Sequence, residues 1–170
     1  WCYLASLPLV VLFQHLIVGW DAPAVVKFLV VSAATLAVVL VTYQWGAAWD
    51  LPRLISMCEQ SGVLGVELRT THAHGVEPVL DAAARAAVRQ RFADSPATLV
   101  GIGSDERFDN PDPAVVAKAV EASKAFLQLS HDVGGTGVKV KPDRFHPGVP
   151  REKTIEQIGR SLNELGAFAQ

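Results

Sequence analysis

Hydrophobic and polar residues follow two different patterns along the chain, and the pattern changes between residues 47 and 50. Up to Trp49 the chain is apolar almost throughout, with Asp21 and Lys27 as its only charged residues. From Asp50 onward, short apolar runs alternate with longer amphipathic stretches. Short apolar runs are typical of buried strands, and longer stretches with a helical repeat are typical of helices. The pattern therefore predicts an apolar segment followed by an α/β domain.

In the second part, the pattern predicts one helix and then three strand–helix units. Asp50 can cap a first helix over residues 51–61, which ends at Gly62. The further predicted helices span 78–92, 113–133 and 151–168, and the predicted strands span 63–68, 98–102 and 137–141. The apolar stripe of the second helix includes Val79, and that of the last helix includes Ile155. Strands that alternate with helices in this way imply a parallel sheet joined by right-handed crossovers.

This alternation is that of a (β/α)8 barrel, which typically needs about 250 residues. Three strands are too few to close a barrel, so the predicted fold is a partial barrel of about three βα units. A doubly wound open sheet is the alternative, although no Gly-rich phosphate loop follows any of the strands. An incomplete barrel leaves two strand edges and its inner face uncovered. We therefore expect exposed apolar strand surface and marginal stability.

The first part has the features of two membrane-spanning helices. Residues 24–43 are a twenty-residue apolar stretch with Lys27 as the only charge. At about 1.5 Å rise per residue such a helix spans roughly 30 Å, the thickness of a bilayer's hydrocarbon core. Residues 1–19 are less regular, because Pro8 removes a helix hydrogen bond. We expect residues 1–46 to form a transmembrane helical hairpin, a multi-pass anchor that leaves the soluble part in the cytoplasm. A buried helix of a large soluble protein is the alternative.

The composition excludes two further classes of protein. The chain has 15 Lys and Arg against 17 Asp and Glu, a formal net charge of −2, so no nucleic-acid partner is expected. Its two cysteines, Cys2 and Cys58, form no disulfide framework and match no metal-site spacing. The chain begins at Trp1 rather than Met, which we take as a sign that it is a piece of a longer protein.

Five short motifs follow one another along the second part of the chain. They are Gly65-Val66-Glu67-Leu68-Arg69, His72-x-His74-Gly75-Val76-Glu77-Pro78, Gly101-Ile102-Gly103-Ser104, His131-Asp132-Val133-Gly134-Gly135-x-Gly137-Val138-Lys139-Val140-x-Pro142 and Glu152-Lys153-Thr154-Ile155-Glu156-Gln157-Ile158-Gly159. Together they resemble xylose isomerase-like TIM barrels, the sugar phosphate isomerase/epimerase group, over residues 50–168. The resemblance implies that residues 50–170 are the first through the fourth helix of such a barrel. The first strand and everything from the fifth strand onward are then missing.

The resemblance implies a metal-dependent isomerase or epimerase of sugars or sugar phosphates, whose divalent metal is held mainly by residues of later strands. The chain is then a fragment of such an enzyme, inactive alone, and no catalytic residue is assigned. The candidate substrate-binding residues are Glu67, Arg69, His74, Lys139 and Lys141. His74 is also a candidate metal ligand, because a related phosphodiesterase, endonuclease IV, uses a histidine there. Glu67 and Arg69 are alternatively a structural ion pair, and the two lysines alternatively protect an edge strand from aggregation.

Other polar residues follow the same strands. His72, Ser104, Asp105 and Asp143 lie at or after strand ends and are weaker candidates for the site. His131 lies late in a predicted helix, where a cation complements the helix dipole, so a structural role is expected. His146 lies in a polar loop, where a solvated side chain is expected.

In the first part, Tyr3-Leu4-x-x-Leu7-Pro8-Leu9-Val10, Gln14, Lys27-Phe28-Leu29 and Tyr43 form a second pattern. It resembles the last two helices of membrane acyltransferases of the glucan biosynthesis protein C-like group. The resemblance implies a membrane anchor without a catalytic residue, since the family's acyl-transfer histidine lies in helices that this chain does not contain. The alternative function is then the C-terminal part of an integral membrane O-acyltransferase acting on carbohydrate. A third hypothesis is an inactive fused reading frame, because no flexible linker separates the two parts.

Overall fold

The structure, a computed structural model, describes residues 19–20, 22–23, 26–27, 30, 46–63 and 65–170. The chain divides into two units, Trp1–Ala47 and Ala48–Gln170. The predicted transmembrane hairpin lies almost wholly outside the described residues and stays a prediction. Within the part of the chain that the structure describes, no helix is both long enough and apolar enough to cross a bilayer.

The second unit contains four helices and three strands in the predicted order. The elements are α1 (Leu51–Ser61), β1 (Gly65–Arg69), α2 (Ala82–Ala93), β2 (Thr98–Arg107), α3 (Pro113–Asp132), β3 (Val138–Lys141) and α4 (Arg151–Phe168). The strands form one sheet in the order β1-β2-β3, and both strand pairs are parallel. The prediction of a parallel α/β fold is confirmed.

Helix α1 shows how local signals set the element boundaries. Asp50 precedes it in an extended conformation, and its Oδ1 accepts a hydrogen bond from the backbone N of Arg53 at 2.9 Å. Gly62 ends it at φ 71°, the left-handed conformation that glycine adopts without steric cost. Both boundaries agree with the predicted ones, because each depends on residues within one helical turn.

The core lies between the sheet and the helices. Leu68 and Ile102 on the strands and Leu129 and Val133 of the α3 region are each at most 1% exposed. A smaller cluster joins α3 to α4 around Phe108, which is fully buried. Alternate strand residues point to opposite faces, so these side chains determine which residues lie on the other face of the sheet.

That other face is charged. The β1 residues that alternate with its buried valine and leucine include Glu67 and Arg69, and the β3 residues that alternate with its partly buried valines are Lys139 and Lys141. The expectation of exposed apolar strand surface is wrong for most of this face, because the uncovered positions hold ionic side chains. Val100, which is 52% exposed, is the apolar exception on β2.

Three predicted details also differ from the structure. Helix α2 begins at Ala82 rather than residue 78, because Asp81 caps it by accepting from the backbone N of Ala84 at 2.8 Å. Val79 therefore precedes the helix and is 91% exposed. Strand β2 continues to Arg107 rather than 102, beyond its last apolar residue. On α4 the buried side includes Thr154 and Leu165, whereas Ile155 is exposed.

Candidate functional site

The predicted site residues converge at the carboxyl ends of the three strands. In a parallel sheet these ends lie along one edge, which is where barrel enzymes build their sites. Five charged side chains meet on the uncovered face there, and we call this group the charged face: Glu67 and Arg69 of β1, Asp105 of β2, and Lys139 and Lys141 of β3.

Two sets of ion pairs connect the strands across the charged face. Lys139 donates from Nζ to Oε1 of Glu67, which joins β3 to β1. Asp105 Oδ1 accepts from Arg69 Nη2 at 3.0 Å and also from Lys141 Nζ. The hydrogen bond from Lys141, followed by the charge of Arg69, holds the pKa of Asp105 below its usual range. The alternative interpretation of the sequence paired Glu67 with Arg69. In the structure Glu67 pairs with Lys139 of β3, and Arg69 pairs with Asp105 of β2.

His74 is held within its own loop. Its Nε2 lies 2.7 Å from the carbonyl oxygen of Arg69, which only accepts, so Nε2 carries the proton. Its Nδ1 accepts a hydrogen bond from the backbone N of Val76 at 3.0 Å. Burial lowers the pKa of His74, in agreement with a neutral ring between one acceptor and one donor. Neither ring nitrogen has a lone pair left for a metal ion or a substrate.

His72 lies in the loop after β1, next to His74 in space. It is half-buried, and its ring centroid is 6.0 Å from that of His74. Burial and then the positive charge of Arg69 lower its pKa, while the charge of Asp105 raises it. The charges of the charged face therefore affect the pKa of His72 rather than that of His74.

Glu77 fixes the loop that carries both histidines, and sequence reasoning missed it. Its two carboxylate oxygens accept from Thr70 Oγ1 at 2.8 Å and from the backbone N of Thr71 at 2.5 Å. Thr71 has φ 65°, a conformation that a β-branched residue rarely adopts. Such strain persists where surrounding contacts impose it, and it is concentrated at functional sites.

The remaining candidates have structural partners. Ser104 is 1% exposed, and its Oγ donates to the carbonyl oxygen of Lys139 at 3.1 Å, which ties β2 to β3. Asp143 accepts from Arg107 Nη1 at 2.7 Å. His131 is exposed at the end of α3, as a dipole-complementing residue would be.

The expectation of a solvated His146 is wrong. Its Nε2 lies 2.7 Å from Oδ2 of Asp109, and the two side chains are only 24% and 5% exposed. Asp109 follows the end of β2, and no sequence pattern pointed to its pairing with a histidine in the β3–α4 loop.

The divalent metal that the family resemblance implies finds no fit among the described residues. Within residues 46–63 and 65–170, no three His, Cys, Asp or Glu side chains are grouped as a metal ion requires. Both nitrogens of His74 are engaged, as described above. The charged face instead holds three cations and two carboxylates. Such a set can donate to and accept from sugar hydroxyls, or pair with an anionic group.

No protein-family model and no curated protein sequence matches the chain. Solved structures do match it. An L-ribulose 3-epimerase is 20% identical with a TM-score of 0.59, and the match covers 74% of this chain and 43% of that one. A D-psicose 3-epimerase in the presence of D-fructose is 17% identical with a TM-score of 0.60, covering 75% of this chain and 46% of that one.

A D-psicose 3-epimerase with D-tagatose from Clostridium cellulolyticum H10 is 15% identical with a TM-score of 0.61, again covering 75% of this chain and 46% of that one. The chain spans less than half the length of these three epimerases. None of the three supports the resemblance of the first part to acyltransferases. At these identities the match concerns the fold, which is that of a partial TIM barrel.

Proposed function

We propose that residues 48–170 are part of a sugar isomerase or epimerase barrel, and that the charged face contacts a sugar or sugar phosphate. The observation that carries the proposal is the meeting of Glu67, Arg69, Asp105, Lys139 and Lys141 at the strand ends. The matched folds belong to sugar epimerases, two of which were solved with D-fructose or D-tagatose.

The chemistry of the charged face supports this class of ligand. A sugar hydroxyl can donate to Glu67 while a neighbouring oxygen accepts from Lys139, so the ion pair is replaced by two charge-assisted hydrogen bonds. A phosphate group would instead draw on Arg69 and Lys141. A purely structural role explains the ion pairs less well, because exposed pairs contribute only about 0–1 kcal/mol each to stability.

The proposed contribution of this chain is binding rather than complete catalysis. It spans less than half of the matched epimerases, and its described residues offer no metal-ligand set. A ligand on an open face lacks the opposite wall that normally buries most of its surface. We therefore expect weak sugar binding and no turnover by the 170-residue chain.

His72 can report binding, because it follows β1 in the loop after Arg69, and the charges of Arg69 and Asp105 shift its pKa in opposite directions. The experiment is a titration of the full chain with D-fructose and with fructose 6-phosphate, followed by the His72 ring signals in NMR. Lys139→Ala should weaken binding roughly tenfold, the loss of one charge-assisted hydrogen bond. Lys153→Ala, which removes an exposed lysine of α4, is the matched control. Unchanged His72 signals with both sugars, or equal binding by the two variants, would contradict the proposal.

We also propose that residues 1–46 anchor the chain in a membrane, with the second unit on the cytoplasmic side. The support is the apolar stretch 24–43 of the sequence alone. A reporter fused to residues 1–50 should stay in the membrane fraction after extraction with alkaline carbonate. Release of the reporter into the soluble fraction would refute the anchor.

A further inference from the structure

A cleft lies beside the charged face. It has a volume of about 480 Å³ and is bounded by the end of β2, the first half of α3 and the β3–α4 loop. Small-molecule sites commonly have volumes of about 300–1,000 Å³. We call it the α3 cleft, and the residues that matter here are Glu106, Asp109, Asn110, Lys118, Arg144 and His146.

One side of the α3 cleft holds the Asp109–His146 pair. Since the Asp109 carboxylate is only 5% exposed and faces Nε2 of His146, Nε2 is the donor of that hydrogen bond. The other ring nitrogen, Nδ1, has no hydrogen-bond partner within the described residues. A buried aspartate thus orients a histidine whose second nitrogen remains available.

Three further groups of the α3 cleft are also uncommitted. In the part of the chain that the structure describes, the side chains of Glu106, Lys118 and Arg144 make no hydrogen bond and no ion pair. Burial and then the negative charge of Asp105 raise the pKa of Glu106, and its carboxylate oxygens remain available as acceptors. Asn110 accepts from the backbone N of Asp112 through Oδ1 at 2.9 Å, which leaves its amide nitrogen as a donor.

The walls of the α3 cleft are fixed before any ligand binds. Arg107 pairs with Asp143 at 2.7 Å, and this holds the β3–α4 loop against the end of β2. Gln157 of α4 donates to the carbonyl oxygens of Phe108 at 2.7 Å and Asn110 at 3.0 Å. Preformed walls reduce the entropy that a ligand must overcome on binding.

The charges of the cleft decide between ligand classes. Four carboxylates line it, from Asp105, Glu106, Asp109 and Asp143, against Arg107, Lys118, Arg144 and the His146 ring. Asp105, Asp109 and Asp143 already pair with other side chains, so the uncommitted charges are those of Glu106, Lys118 and Arg144. A multiply charged anion would meet the Glu106 carboxylate as well as the two cations, whereas a neutral ligand meets no such repulsion. A metal ion is disfavoured too, because these carboxylates form no metal-ligand group within the described residues.

We propose that the α3 cleft is a second ligand site, which binds a neutral, hydroxyl-rich molecule such as a sugar or polyol. Hydroxyl groups both donate and accept, and they match a mixture of uncommitted donors and acceptors that a charged ligand would match only in part. Val115 and Ala119 supply an apolar wall for the C–H groups of such a ligand. The site does not depend on sugar binding at the charged face.

The test follows the ring signals of His146 in NMR while the full chain is titrated with D-fructose, with glycerol and with inorganic phosphate. We expect saturable shifts with D-fructose and much weaker ones with phosphate. Lys118→Ala should weaken D-fructose binding roughly tenfold at His146, whereas the α4 variant Lys153→Ala should not change it. Asp109→Asn should alter the His146 response as well, because it replaces the charged acceptor that orients the ring with a neutral amide.

Two reporters separate the two sites. Lys139→Ala should weaken the response of His72 and leave that of His146, so failure at the charged face does not obscure the result at the α3 cleft. The proposal is overturned if His146 does not respond to D-fructose, if it responds to phosphate alone, or if Lys118→Ala binds D-fructose as the parent chain does.

Discussion

Lys139 reaches Glu67 across an intervening strand. The two residues belong to β3 and β1, which do not pair, and β2 lies between them. Gly103 of β2 makes the contact possible: a Cβ atom there would lie 2.9 Å from Glu67 Oε1 and 3.5 Å from Lys139 Cε. The absence of a side chain at Gly103 thus lets the ion pair pass over β2 and join β1 to β3.

Gly103→Ala should disrupt this ion pair while sparing the fold. The added methyl group meets the end of a flexible glutamate, which can move aside. We expect a small change in the free energy of unfolding and a clear loss of sugar binding at His72. Denaturant unfolding and the NMR titration measure the two quantities.

Gly101→Ala is the matched comparison on the same strand and should do the reverse. A Cβ atom at Gly101 would lie 2.6 Å from the carbonyl oxygen of Gly137, which is backbone and cannot rotate away. We expect destabilisation of about 1–3 kcal/mol, the usual cost of overpacking. Equal destabilisation by the two variants would contradict this prediction. It would mean that the backbone contact at Gly101 costs no more than the side-chain contacts at Gly103.

The link between α2 and α3 should make stability sensitive to acid. Asp132 accepts from Arg85 at 2.7 Å, and chiefly this hydrogen bond lowers the pKa of Asp132 to about 2. A carboxyl group with a lowered pKa stabilises the folded state above its ordinary pKa of about 3.9, and the contribution is lost as the pH falls towards 2. Asp132→Asn should therefore lower the free energy of unfolding at pH 7 and have a smaller effect near pH 2.

Glu59→Gln is the control for that measurement. Glu59 is exposed and has no ion-pair partner within the described residues, so its replacement should change stability little at either pH. A pH-independent effect of Asp132→Asn would mean that its contribution does not come from the carboxylate charge.

Sequence patterns identified the elements of the second unit because their signals are local. Asp50 and Gly62 bound α1 through contacts within one turn. The alternation of Lys139 and Lys141 with valines placed both lysines on one face, since strand side chains alternate. Together with the family resemblance, this local reasoning identified four of the five residues of the charged face as substrate-binding candidates, and it named the fifth, Asp105, as a weaker candidate for the site.

The partners of these residues could not be read from the sequence. Glu67 and Lys139 are 72 positions apart, and their meeting depends on strand order and on a register shift between Val66 and Glu67. The roles of the two loop histidines were equally hidden. The loop that carries them contains Thr71 at a positive φ, which no turn motif in the sequence predicts. Long-range register and unusual backbone geometry, rather than propensity, decided these contacts.

Cys58 should report unfolding of the second unit. It is fully buried in α1, and burial raises the pKa of its thiol, whereas the thiolate is the reactive form. In a Cys2→Ser chain, a thiol reagent should react slowly under native conditions and rapidly in denaturant. Adding Cys58→Ser and Ala169→Cys to that chain moves the thiol to an exposed position just after α4, where it should react rapidly in both. Rapid native labelling of Cys58 would mean that α1 opens readily from the core.

His74 should make the second unit less stable as the pH falls. Burial lowers its folded pKa, whereas an unfolded histidine takes up a proton below about pH 6.5. Its contribution to stability is thus complete above about pH 6.5 and is lost as the pH falls towards the lower folded pKa.

The substitution His74→Leu tests this contribution in two ways. It removes the two hydrogen bonds that the ring makes with the backbone N of Val76 and the carbonyl oxygen of Arg69, which should cost about 1–3 kcal/mol at pH 7.5. It should also reduce the rise of the free energy of unfolding between about pH 5 and 7, leaving the part that comes from His72. Lys153→Ala removes an exposed cation of α4 and should leave both quantities nearly unchanged. If His74→Leu kept the full pH dependence, the ring would not be held neutral by its loop.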